Sequence, residues 1–174
     1  MTLADWRAEI SRIVHWKQIS AEHDKLKALP WHLPKAGASE EQIARAESFL
    51  GTKFSPELKE FLTFANGWEG FHVLIDLFGT NDFLSGRAHQ VLRRPELAEF
   101  IVNQGWSPGE ATPIGASNFD LDVFLHISPD SSVLPGGVVW FASEEVDRYN
   151  AFHEFLSAMV NYNARVANKL AQRQ

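Results

Sequence analysis

Three groups of side chains in this sequence have the types and spacing to do chemistry. Asp120 and Asp122 share a face if one strand includes both, and paired carboxylates raise one another's pKa enough to serve as acid and base. The competing and favoured reading is a solvated strand face or a turn cap. His72 and Asp76 stand four residues apart, so a strand through both brings them to one face as a histidine–carboxylate pair, with no nucleophile in view beside them. Trp68-Glu69-Gly70-Phe71 follows a helix stop and sets two aromatic rings and an acid in a turn, where binding residues concentrate. Aromatic anchors dominate protein interfaces, so Trp68, Glu69, Phe71, Asp120 and Asp122 are the candidate partner-binding residues. For the two rings a core role is the favoured alternative, because Phe71 opens an apolar run and Trp68 can cover the helix end. His15, Glu22 and His23 match no established ligand spacing, and no dinucleotide, Walker, zinc-protease or serine-hydrolase motif occurs. The residues therefore name no catalytic, metal or cofactor site, and no cofactor is implied.

Composition narrows the partner. The chain has 174 residues, 16 Lys+Arg against 22 Asp+Glu, a net charge of −6 and no cysteine. That length supports one full core, and the missing thiol excludes disulfides, thiolate metal sites and cysteine nucleophiles. Residues 1–60 carry nine bases and nine acids; residues 61–147 carry three bases and twelve acids, net −9; residues 148–174 carry four bases and one acid, net +3. An acidic middle argues against nucleic acid as a partner, whose phosphates demand Lys and Arg. Scattered solvated acids account for much of this; a docking face for a basic protein is the functional reading. Charges recur through Lys17 without an apolar signal segment, and no stretch approaches a membrane span, so a cytoplasmic protein without membrane contact is expected. The oligomeric state is left open.

The elements that must position these residues follow from periodicity. Leu3, Trp6, Ile10, Ile13, Val14 and Trp16 form one stripe of an N-terminal helix, with Arg7, Glu9, Arg12 and Lys17 mostly off it. Leu29-Pro30-Trp31-His32-Leu33-Pro34 cannot continue a helix and reads as an apolar connector lying against the body. Residues 1–36 are thus a helix and connector, and residues 37–174 the main domain. Ser39-Glu40-Glu41-Gln42 has the form of a capping box opening a helix that Gly51 stops, and Ser55-Pro56-Glu57 opens a second that Asn66-Gly67 ends. Phe71–Phe78 reads as one buried strand. A helix follows from Asn81 through Leu92, weakened by Gly86, then another from Glu96 to about Gln104. Gly105–Gly109 is a loop, Pro113-Ile114-Gly115 approaches a short strand, and Leu121–Ile127 and Val138–Ala142 form a hairpin across a long loop. Glu144-Glu145 then precede a closing helix with Phe152, Phe155, Leu156, Met159 and Val160 on its apolar face. Helices segregate from strands, which is α+β and not βαβ alternation.

The run from Gly37 through Gly67, with its small-residue turn, acidic helix, Leu50-Gly51, Pro56, Phe61-Leu62 and Asn66-Gly67, resembles the opening of the SMI1/KNR4 (SUKH) superfamily. Pro113-Ile114-Gly115, Gly137-Val138 and Phe152-His153-Glu154-Phe155-Leu156 continue the likeness in order to about residue 160. Two departures stand out: Asn118-Phe119-Asp120 where the family often has Gly-Asp, and Phe54-Ser55-Pro56 where it usually has Leu-Pro. The first 36 residues lie outside the likeness and are read as a subfamily addition or a partner site. The resemblance implies a SUKH-like domain, a mostly antiparallel sheet packed against N-terminal and C-terminal helices. It also implies a non-enzymatic immunity protein that binds and neutralises a secreted polymorphic toxin, often a nuclease. The alternative it offers is an intracellular regulatory or scaffold module acting through protein partners.

Overall fold

Residues 3–107 and 109–172 are described by the structure, a computed structural model, with side chains from Trp6 onward; Leu3 of the expected stripe and Pro108 of the expected loop have side chains outside that set. The first helix, α1 (Leu3–His23), packs along the last, α7 (Phe152–Ala171). Its buried seam is Trp6, Glu9, Ile13, Lys17 and Ser20, so Glu9 and Lys17, expected off the stripe, lie on it. Each is accommodated by its head group: Glu9 accepts from Arg12 at 2.9 Å, and the Lys17 ammonium donates to the carbonyls of Gly70 and Pro30. Long stems bury well when the charged end finds acceptors.

The two caps are as the sequence places them. Before α2 (Glu40–Leu50), the Gln42 N–H donates to Ser39 Oγ at 3.2 Å while the Ser39 N–H donates to Gln42 Oε1 at 2.8 Å. Before α3 (Pro56–Leu62), Ser55 Oγ accepts from the Leu58 N–H. The small-residue turn ahead of α2 has a steric cause: a Cβ on Gly37 would sit 1.8 Å from the Thr63 carbonyl oxygen.

The expected single strand over Phe71–Phe78 is instead a tight hairpin of β1 (Trp68–His72) and β2 (Ile75–Leu77). The chain reverses at Val73, whose φ of +52° is a left-handed conformation that no propensity assigns to a β-branched residue. His72 therefore pairs with Ile75 across the hairpin and does not share a strand with Asp76. After α4 (Thr80–Leu84), α5 (Arg87–Leu92) and α6 (Pro95–Asn103) come β3 (Ala111–Ser117), β4 (Val123–Ile127), β5 (Val138–Phe141) and β6 (Glu145–Tyr149). Gly86 divides the expected helix over 81–92 in two. The strand β6, read in sequence as an approach to the last helix, is a charged edge strand with a bulge against β5, a pattern that keeps edges from aggregating and hides them from apolar periodicity.

The sheet is antiparallel throughout, in the order β1-β2-β3-β4-β5-β6. On one face Phe155 of α7 meets Phe124 of β4, with ring centroids 4.9 Å apart, and Trp6, Phe61 and Phe152 join α1, α3 and α7. On the other face Phe100 of α6 meets Phe141 of β5 at 4.8 Å. The architecture is the α+β arrangement expected, with terminal helices packed on an antiparallel sheet. Among the described residues no helix is long and apolar enough to cross a membrane.

Two histidines lie inside this core. Burial lowers His126 to about 3 and His72 to about 4, with a hydrogen bond to Asn163 opposing the effect on His72 and Lys17 adding to it. His126 Nε2 accepts the Ser55 N–H at 3.2 Å, tying the α3 cap to β4 through a neutral ring. Because both rings titrate lower in the fold than in the unfolded chain, acid favours unfolding. Stability is full above the unfolded value near 6.5 and falls as pH drops toward 4, by about 1.4 kcal/mol per pH unit for each ring. Urea titrations at pH 7, 6 and 5 should show this steepening, and His72→Asn should remove about half of it; a flat profile would mean the rings are charged in the fold. Ser39→Ala should cost about 0.5–2 kcal/mol in the same assay, and no loss would deny the capping box an energetic role.

Candidate functional site

The hairpin β1–β2 forms the floor of a surface cleft of about 480 Å³, walled by the connector at Pro30, His32 and Lys35 and by the β3–β4 turn at Asn118 and Phe119. Its geometry starts at Gly70. A φ of +57° and a Pro30 side chain that would come within 2.4 Å of any Cβ leave room only for glycine. The Gly70 carbonyl takes the Lys17 ammonium, and its N–H donates to Asp76 Oδ1 at 2.8 Å. Burial drives Lys17 down to about 8, with Asp76 opposing, so the ammonium stays charged at neutral pH.

Asp76 carries the same network into the cleft. Its Oδ2 accepts from Arg87 at 2.7 Å, and the other arm of that guanidinium reaches Asp82 Oδ1 at 3.2 Å. Arg87 also donates to Asn118 Oδ1 at 3.1 Å and lies 4.5 Å from the centroid of the Phe78 ring. Asp82 Oδ2 accepts the Gly79 N–H at the start of α4. One guanidinium thus joins β2, α4 and the β3–β4 turn, a fork geometry that lysine cannot reproduce.

Of the five candidate contact residues, two are buried. Trp68 is 1% and Phe71 0% exposed; Trp68 donates to the His32 carbonyl at 2.7 Å, and Phe71 packs on Trp68, Phe124 and Phe155. Trp68 ties the connector to the core and Phe71 lies within the core, and neither ring is exposed. Glu69 stands open on the cleft rim, 3.4 Å from Lys35 and 3.9 Å from His32. The aspartates do not share a strand face, because β4 begins only at Val123; they form the turn before it, where the Asp122 N–H donates to Asp120 Oδ1 at 3.1 Å. Asp122 accepts from the Trp140 indole at 2.6 Å, and burial raises its pKa, with Asp120 adding to the rise. Asp120 is exposed. Glu69 and Asp120 therefore remain as surface acids, while Asp122 is a structural acceptor.

Arg87 and Phe119 are not among the candidate contact residues, whereas the connector wall falls in the segment read as a subfamily addition or a partner site. Phe119 is 78% exposed at the tip of its turn, and its one sequence signal is the departure from the Gly-Asp pattern at Asn118-Phe119-Asp120. Arg87 is one of three bases in the acidic stretch 61–147. The supposed His72–Asp76 pair does not form: His72 lies edge-on to Trp140 and Tyr162, and Asp76 belongs to Arg87. Among the described residues no three His, Asp or Glu side chains gather as metal ligands.

Arg87→Ala should lower stability by about 1–3 kcal/mol, between the values for exposed and buried pairs, because it strands two largely buried carboxylates. Arg87→Lys should recover only part of this. Chemical denaturation of both variants checks it; two unchanged midpoints would mean the guanidinium does not hold the cleft together.

Residues 37–158 match the sequence model of the SMI1 / KNR4 family (SUKH-1). No match to the chain is found among curated proteins.

Proposed function

The chain belongs to the SMI1 / KNR4 family (SUKH-1), and from that premise we propose that it is an immunity protein that neutralises a cognate toxin domain by stoichiometric binding. Membership supports an immunity or protein-interaction module, generally without enzymatic activity. The observation that carries toxin binding is Phe119, a large ring 78% exposed beside Asp120 and on the rim of the cleft that holds Glu69. An exposed aromatic at the end of a turn, with Asp120 next to it and Glu69 on the same cleft, is suited to a basic protein surface: charge speeds encounter, and the ring, once covered, slows release. Such a protein works in the cytoplasm of the cell that makes the toxin, and occludes the toxin's basic substrate groove rather than altering it chemically.

The test is a toxin domain encoded beside this chain's own gene. Mixed with the protein, it should elute as a stable complex and lose its toxicity. Glu69→Lys with Asp120→Lys should slow association several-fold and flatten its salt dependence, whereas Phe119→Ala should raise the dissociation rate at unchanged melting temperature. Asp122 is left intact in this set because Trp140 depends on it. Failure of the neighbouring gene product to bind would leave the regulatory or scaffold reading.

A further inference from the structure

We propose that the cleft between the connector and the β3–β4 turn receives an arginine side chain of the protein partner, its guanidinium set on the Phe119 ring and paired with the Glu69 carboxylate. This deepens the reading of that face as a docking surface and rests on it. The carboxylates on the cleft floor are already engaged. Asp76 binds the Gly70 N–H and Arg87, and Asp82 binds the Gly79 N–H and Arg87. Glu69 is different. Its partners stand at 3.4 Å and 3.9 Å, all three side chains are half exposed, and neither distance makes a good hydrogen bond. An incoming cation can take the carboxylate from Lys35 and His32 without uncovering a buried charge.

The chemistry of the occupant follows from what surrounds it. The cleft lining holds three acids, Glu69, Asp76 and Asp82, against two bases, Lys35 and Arg87; with Asp76 and Asp82 both taken up by Arg87, the carboxylate left open is that of Glu69, whose charge complement is a cation. The cleft's one large exposed ring, Phe119, favours a flat cation over a compact ammonium, because guanidinium stacks on an aromatic face and still forks onto a carboxylate. The fold uses the same combination a few residues away, where Arg87 lies on Phe78 and between two carboxylates. A volume of about 480 Å³ admits the whole side chain. One wall, Pro30 to Lys35, comes from outside residues 37–158, the part that matches the family model, so the N-terminal segment sets the width of the cleft and with it the choice of partner.

The probe is the blocked tripeptide acetyl-Gly-Arg-Gly-amide, titrated into the full chain and followed by amide chemical shifts. Binding should be weak and saturable, with shifts grouped at residues 30–35, 69–70 and 118–120. Glu69→Gln and Phe119→Ala should each weaken it about three- to fivefold, the scale of one exposed ion pair or one cation–π contact, and the lysine analogue should bind less well. Shifts spread equally over Glu144, Glu145 and Asp147, or unchanged by Glu69→Gln, would overturn the assignment. A chain that neutralises its toxin yet ignores the peptide overturns the arginine site alone; one that binds the peptide but no toxin supports the site and overturns the proposed function.

Discussion

The peptide unit at Gly70 is gripped on every side, and the N-terminal segment, the hairpin and the cleft are all positioned by that grip. Its carbonyl holds a buried ammonium from α1, its N–H holds Asp76, and its α-carbon lies against Pro30. A buried lysine is a costly group to fold around, and desolvation lowers it to about 8; carbonyl acceptors offset that cost only if the backbone stays where it is. Lys17 thus makes the position of the hairpin and that of the first helix one problem with one solution. Asp76 transmits the constraint onward, through Arg87, to α4 and to the turn that carries Phe119.

This arrangement explains why a rigid floor and loosely held rim groups occur in one cleft. The Arg87 network has short bonds and little solvent around it, which fixes the shape of the cleft. Glu69, Lys35 and His32 at the rim are half exposed and weakly paired, so they can be re-paired at small cost. Preorganisation below and exchangeable charge above is the combination that gives fast encounter without a large reorganisation on binding.

Much of the fold was legible because its signals are local. The boxes at Ser39 and Ser55, the stop at Gly51 and the apolar face of α7 follow from short-range backbone satisfaction and helical spacing, and the structure keeps them. What was hidden depends on distant partners. Val73 turns through a left-handed conformation that its side chain disfavours, Lys17 is buried because carbonyls 13 and 53 residues away accept it, and β6 is an edge strand without apolar alternation. In the site, Glu69 was recognisable as an exposed acid, although it stands in strand β1 and not in the turn expected there. Trp68 and Phe71 beside it could not be told from core, since aromatic residues serve both roles and only tertiary packing chooses. Phe119 is marked only by its exposure, which one sequence does not contain.

Hydrogen–deuterium exchange of the full chain, free and saturated with its toxin domain, tests the central claim most directly, because it reads where the partner sits without altering a residue. Docking on the cleft predicts slowed exchange at residues 30–35, 69–74 and 117–122, with the backs of α1 and α7 and the β6 edge unchanged. Protection confined to β6 or to the α1–α7 surface, with the cleft exchanging as in the free protein, would contradict it.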